Sequence, residues 1–240
     1  MPVFVSPLAY RFLLVALLLH SMPVVCETPL HNFSATYSVR SGGLKIGQMQ
    51  RRLTIAPENH YRFESKIEST GLIALVHGSS IEETSEGDLI AGQIRPRHYA
   101  YRRVTKDKRK ESTITFDWEH SRITTIAKGE PSDMTASPGA LDKLVYQLAL
   151  MQDLVRGDGP LRYAVADDGQ LKVYEFSRAG SETVEIGGQA VTALKVIYAR
   201  KGSARKTTLW CAPDYAYLPI KIEYVEADGR PTTATLTTFQ

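Results

Sequence analysis

From Phe33 onward the chain alternates apolar and polar residues in short runs separated by turn residues, the period-two pattern of strands with one buried face. Phe33, Ala35, Tyr37 and Val39 fall on one face, and Gly42-Gly43 supplies a turn into Met49, Leu53 and Ile55. Pro57, Glu58 and Asn59 turn the chain again into Tyr61, Phe63 and Ile67, completing an opening meander. The pattern resumes at Ile94, Tyr99 and Tyr101, then at Ile114, Phe116 and Trp118, where residues 119–121 form a tight hairpin into Ile123. Further alternating runs hold Tyr163, Tyr174, Val184, Val196, Leu209, Ile222 and Leu236, with Asp168-Gly169, Gly187-Gly188 and Asp228-Gly229 as turns that accept positive φ. About a dozen strands are predicted.

One segment has the other period. Leu141, Leu144, Val145, Leu148, Met151 and Val155 recur at spacings of three and four, which predicts an amphipathic helix over 137–157. Ser137 is its expected cap, Pro138 suits the first turn, Asp142 lies near the positive end and Gly157 terminates it. Residues 129–139, just before, read as a loop. A dozen hairpin-linked strands and one central helix predict a mainly β fold: a large curved antiparallel sheet or open β-barrel covered or plugged by the helix. An α/β enzyme fold would need helices between successive strands, which the pattern lacks.

The N-terminus changes the picture of where this sheet works. Arg11 precedes an unbroken apolar run from Phe12 to Leu19, which is signal-peptide anatomy and too short for a membrane-spanning helix. Residues 1–26 are therefore expected to be a signal peptide and 27–240 a single exported domain in the periplasm, without a transmembrane span. Cleavage before Glu27 removes Cys26; the alternative is a lipid anchor at Cys26. With Cys211 then alone, no internal disulfide forms, and a hydrophobic core must hold the fold, for which 43% apolar content suffices.

Charge and chemistry narrow the function mostly by exclusion. Lys plus Arg exceed acids by only 29 to 26, a balance that names no acidic partner, and nucleic acid is not expected for an exported chain. The basic run Arg102, Arg103, Lys106, Lys108, Arg109 and Lys110 reads as a solvated hairpin tip, with lipid headgroups or an anionic polymer as its alternative partners. The histidines are scattered without metal-ligand spacing, so no metal or cofactor is expected. Gly78-Ser79-Ser80 lacks the second glycine of a nucleophile elbow, and Cys211 sits in a buried strand pattern. Glu82-Glu83 and Asp167-Asp168 read as solvated charge. An enzymatic reading therefore has no catalytic residue to carry it.

The apolar run Gly71-Leu72-Ile73-Ala74-Leu75-Val76 has no strand period and is flanked by glycines, as a short helix or lid over the sheet would be, a core strand being the equal alternative. Lid and helix together predict an apolar cavity near Leu72, Ile73, Leu75, Leu148, Met151 and Trp210. The function expected from it is non-enzymatic binding or carriage of a lipid or other hydrophobic envelope component. The alternatives are an envelope scaffold that binds another protein, and, third, an envelope hydrolase.

Toward the C-terminus, Leu209-Trp210-Cys211-Ala212-Pro213-Asp214 is followed by Tyr217-Leu218-Pro219-Ile220-Lys221-Ile222. This resembles the Trp-x-Ala-Pro-Asp and Leu-Pro-Val-Arg/Lys signature of the bacterial exported family called domain of unknown function (DUF) 3108. Tyr37, Gly47, the central helix and Asp228-Gly229 extend the likeness over about residues 29–240. The resemblance implies a periplasmic, mainly antiparallel β protein and brings no catalytic residues. Its sheet-plus-helix plan is similar to that of periplasmic lipoprotein carriers. In physical terms Pro213 ends a strand, Asp214 is expected to accept backbone hydrogen bonds in the turn, and Pro219 restricts the next strand.

Overall fold

Alternation of small and large apolar residues on β1 (Phe33–Ser41) buries Phe33, Ala35, Tyr37 and Val39 on one face while their neighbours stay partly exposed. The computed structural model of the protein describes residues 30–71, 74, 78–199 and 204–240. There β1 is followed by β2 (Leu44–Ile55), β3 (His60–Ser69), β4 (Ser79–Ile90), β5 (Gln93–Thr105), β6 (Arg109–Asp117), β7 (Arg122–Ala127), β8 (Glu130–Thr135) and β9 (Leu141–Asp142). Helix α1 (Tyr146–Arg156) precedes β10 (Leu161–Asp167), β11 (Gln170–Ile186), β12 (Gln189–Ala199), β13 (Lys206–Ala212), β14 (Leu218–Val225) and β15 (Pro231–Phe239). Fifteen strands among the described residues, rather than a dozen, form one sheet in the order β8-β7-β6-β5-β4-β3-β2-β1-β15-β14-β13-β12-β11-β10-β9.

Nearly every neighbour in that order is also a sequence neighbour, so the sheet is built of hairpins; the exceptions are the β1–β15 seam and the parallel β9–β10 pair. The sheet curls far enough to bring β9 beside β5, and Ser85 Oγ on β4 donates to Asp142 Oδ2 on β9 at 2.5 Å. The curl makes a barrel-like wall, and β6, β7 and β8 continue past the closure as a flap.

The helix is shorter than its apolar spacing predicts. Leu141 and Asp142 are extended and pair with Val165 and Ala166, Gly139 takes φ +73°, and regular helix begins only at Tyr146. Ser137 therefore caps nothing: its buried hydroxyl has no partner. Asp142 instead fixes the turn that leads into the helix, its Oδ1 accepting the N–H groups of Leu144 and Val145 at 2.8 and 2.9 Å, while the cap position Val145 has no side-chain cap. Gly157 ends the helix as expected, donating its N–H to Asp153 O. Residues 130–135, expected in a loop, form β8, which pairs with β7 although it carries almost no buried side chain.

Tyr146, Gln147, Leu148, Leu150, Met151, Gln152 and Leu154 are all buried. Leu148 and Leu150 project from nearly opposite sides of a helix, so α1 lies inside the barrel and not upon it. Each such leucine contributes about 2 kcal/mol through burial. The two buried glutamines are satisfied: Gln147 Oε1 accepts from Arg51 of β2, and Gln152 Nε2 donates to Gly92 O at 2.9 Å.

Candidate functional site: two mouths and a buried arginine

Because α1 fills the barrel lengthwise, open space collects at its two ends. At the C-terminal end a pocket of about 290 Å³ is walled by Phe33, Met151, Val155, Tyr215 and Phe239. Phe239 packs against Phe33 and Tyr215 with ring centroids 6.1 and 5.4 Å apart, and Phe33 meets Phe63 edge-on at 6.0 Å. The turn Pro213–Tyr215 places Tyr215. It is closed by the backbone, Ala216 N–H to Pro213 O and Tyr217 N–H to Ala212 O, with Ala216 and Tyr217 at positive φ. Asp214 caps nothing there, contrary to expectation; it joins the polar rim of the pocket with Asn32 and Gln152.

At the N-terminal end of α1 lies a larger, polar cleft of about 740 Å³. Tyr146, Tyr174 and Tyr198 line its wall, Tyr174 meeting Tyr146 edge-on at 5.3 Å and stacking on Tyr198 at 4.7 Å. Its charges neutralise one another: Asp167 accepts from Lys172 at 2.7 Å and faces Lys143 at 3.3 Å. Burial pushes the Asp167 carboxyl up, but the two lysines outweigh it and hold the group below its ordinary range. Glu83 accepts the Tyr99 hydroxyl at 2.7 Å. Asp167 and Glu83 are thus bound parts of the cleft wall and not the free solvated charges expected from sequence.

Between the mouths the barrel interior holds polar groups that residue type alone would assign to solvent. Arg51 alternates with Met49 and Leu53 on β2 and, like them, is buried. Its guanidinium donates to Gln147 and lies over the Tyr37 ring at 5.8 Å. Burial raises the Tyr37 hydroxyl to about 12, Arg51 partly offsetting the effect. Starting on the neighbouring strand, Tyr61 of β3, Ser85 of β4 and Asp142 form a buried chain, with Tyr61 Oη 3.1 Å from Ser85 Oγ.

Of the six residues expected to line a cavity, the three described ones, Leu148, Met151 and Trp210, do not come together. Leu72, Ile73 and Leu75, with most of the expected lid, lie outside the described residues. Leu148 is packed solid inside the barrel, whereas Met151 does line the apolar pocket. Trp210 serves elsewhere. Lys195 and Lys221, its cross-strand partners, place their ammonium groups 5.4 and 4.3 Å from the ring, and Nε1 donates to Glu182 at 2.7 Å. Cys211 is fully buried, and burial pushes its thiol far up, as suits a packing residue. The basic hairpin is exposed as expected, and Arg102 stands between Glu82 and Glu111 at 3.8 and 3.5 Å.

Among the described residues no cluster of His, Cys, Asp and Glu is placed to hold a metal, and no helix is long and apolar enough to cross a membrane. Phe33, Tyr215, Phe239 and Arg51 are the site residues that sequence reading missed. Only the alternation of Arg51 with two apolar neighbours could have found it.

Among curated proteins nothing matches the chain. In shape it is similar to a beta-barrel-like protein of domain of unknown function DUF1849 from Brucella abortus, with TM-score 0.58 and 10% identity over 88% of this chain and 98% of that one. A provisionally named lipoprotein from Parabacteroides distasonis follows at TM-score 0.37 and 8% identity, covering 88% and 97%. The Brucella likeness bears on the fold alone. Residues 36–237 match the family model described as protein of unknown function DUF3108, and with that span covering most of the barrel and its helix, the chain belongs to the DUF3108 family.

Proposed function

We propose that this protein is a non-enzymatic binding protein of the bacterial cell envelope that takes up the apolar part of a lipid or another hydrophobic envelope molecule. The observation that carries the reading is the pocket of Phe33, Met151, Val155, Tyr215 and Phe239, about 290 Å³ of apolar space with a narrow polar rim. That size and lining suit a short stretch of acyl chain or a ring system. Phe239 remains 40% exposed at the rim, an apolar surface that a ligand would cover. The apolar run at residues 12–19 supports export to the periplasm, where such a ligand is met.

The test is a fluorescence titration of the exported protein with N-phenyl-1-naphthylamine, followed by displacement with fatty acids. The Met151→Trp and Val155→Trp variants fill the pocket and are expected to weaken probe binding at least tenfold while unfolding normally. Probe binding unchanged in both variants would locate any ligand elsewhere and refute the reading.

A further inference from the structure

The apolar pocket does not explain Arg51, a charged side chain in the interior. It is 7% exposed, yet none of the acidic side chains of residues 30–240, all of them described, lies within ion-pair distance of it. Its Nε has no hydrogen-bond partner, and neither does the buried Tyr37 hydroxyl beside it. One hydrogen bond to Gln147 and the face of Tyr37 are what the protein offers to a buried cation. A guanidinium stays charged, and a buried charge without a counter-ion is costly, so the site favours an anion that completes it.

The register shows where that anion would come from. Phe33 pairs with Leu53, and the next inward pair along β1 and β2 is Ala35 with Arg51. Arg51 therefore lies about 7 Å deeper than the pocket wall at Phe33. On the facing helix Gln147 and Met151 are four residues apart and share a side, one touching Arg51 and the other lining the pocket. Ala35 presents only a methyl group between the Phe33 and Tyr37 rings.

We propose that Arg51, with the Tyr37 hydroxyl, is the recognition point for an anionic group, a carboxylate or phosphate, borne by the ligand whose chain occupies the apolar pocket. The proposal rests on the pocket reading above and specifies the ligand as an anionic amphiphile. Arg51 suits the task because its planar fork can give two parallel N–H donors to such a group.

Calorimetric titration of the exported protein at pH 7.5 would compare dodecanoate, dodecyl phosphate, dodecanol and inorganic phosphate, each below its aggregation limit. Dodecanoate or dodecyl phosphate is expected to bind at least tenfold more tightly than dodecanol. Arg51→Met should abolish that preference, and Arg51→Lys should retain part of it. Equal affinity of dodecanoate, dodecyl phosphate and dodecanol for the wild-type protein would overturn the role of Arg51 and leave the pocket standing. Failure of every chain to bind would instead remove the pocket reading and this proposal with it. Inorganic phosphate binding as tightly as dodecyl phosphate would make the site one for a free anion and overturn the amphiphile. The wild-type comparison decides the matter even if a variant at Arg51 does not fold.

Discussion

Replacing Asp142 with asparagine should stabilise this protein at neutral pH and leave it nearly unchanged in mild acid. Asp142 is completely buried, and burial raises its carboxyl from 3.8 to about 6, against the hydrogen bonds from Ser85, Val145 and Leu144 that favour the charged form. Between those two pH values the unfolded chain has already released the proton that the folded protein still holds. Stability therefore falls as pH rises across that window, and the loss is complete above it. Two pH units at ~1.4 kcal/mol each amount to about 3 kcal/mol. Asparagine keeps an oxygen for the Leu144 and Val145 N–H groups, while its NH₂ donates to Ser85 Oγ, which can pass its own proton to Tyr61. Urea unfolding of both proteins at pH 4, 5, 6 and 7.5 gives the difference directly. Taking that difference cancels carboxylates such as Asp167, whose lowered range acts in the opposite sense. Because the unfolded carboxyl is already partly ionised at pH 4, the variant is expected to gain about 2.5 kcal/mol on wild type between pH 4 and 7.5. A difference that stays constant across the window, or that grows in favour of wild type, would refute the assignment of a buried, mostly desolvated carboxyl.

Trp210→Ala should cost about 3–5 kcal/mol of stability by removing a buried indole, without weakening the probe titration described above; weakened binding at unchanged stability would restore Trp210 to a ligand site. Cys211 should be inert to a thiol-reactive dye in the native state and react once in denaturant, because its thiol is buried and held protonated. Rapid native labelling would contradict the packing seen at β13. At Gly87 an added Cβ would lie 2.3 Å from Arg95 O and 2.7 Å from Pro96 Cα, both backbone atoms, so Gly87→Ala should destabilise by about 2 kcal/mol or more in urea unfolding.

What the sequence made legible was whatever one side of an element announces by itself. β1 and β3 bury every second residue, and their apolar alternation could be read without a partner. β8 buries almost nothing and is held at the rim of the flap by its pairing to β7, so no side-chain pattern betrays it. The helix start was misplaced because Leu141 is buried by β10 and not by a helical face; a short strand and a turn can imitate spacings of three and four. Trp210 is expected near a cavity, whereas its surroundings are set by Lys195, Lys221 and Glu182, brought alongside by register and by a bulge between Trp210 and Cys211. The apolar pocket joins the first strand, the helix, the Pro213–Tyr215 turn and the last strand, a meeting of distant segments that no local pattern contains.

The pairing of β1 with β15 has a consequence for the order of events in biosynthesis. Ser34 and Gln240 exchange both backbone hydrogen bonds, and Ala35 stands opposite Phe239, so this ladder joins parts of the chain more than 200 residues apart. Hairpins can zip independently on either side, but the wall cannot close until the last strand has been made, and so distant a contact is slow to find. Until then β1 keeps an open edge and Phe33 lacks the ring of Phe239. A chain built this way reaches its native state only after β15 is free to pair, however early its N-terminal hairpins form.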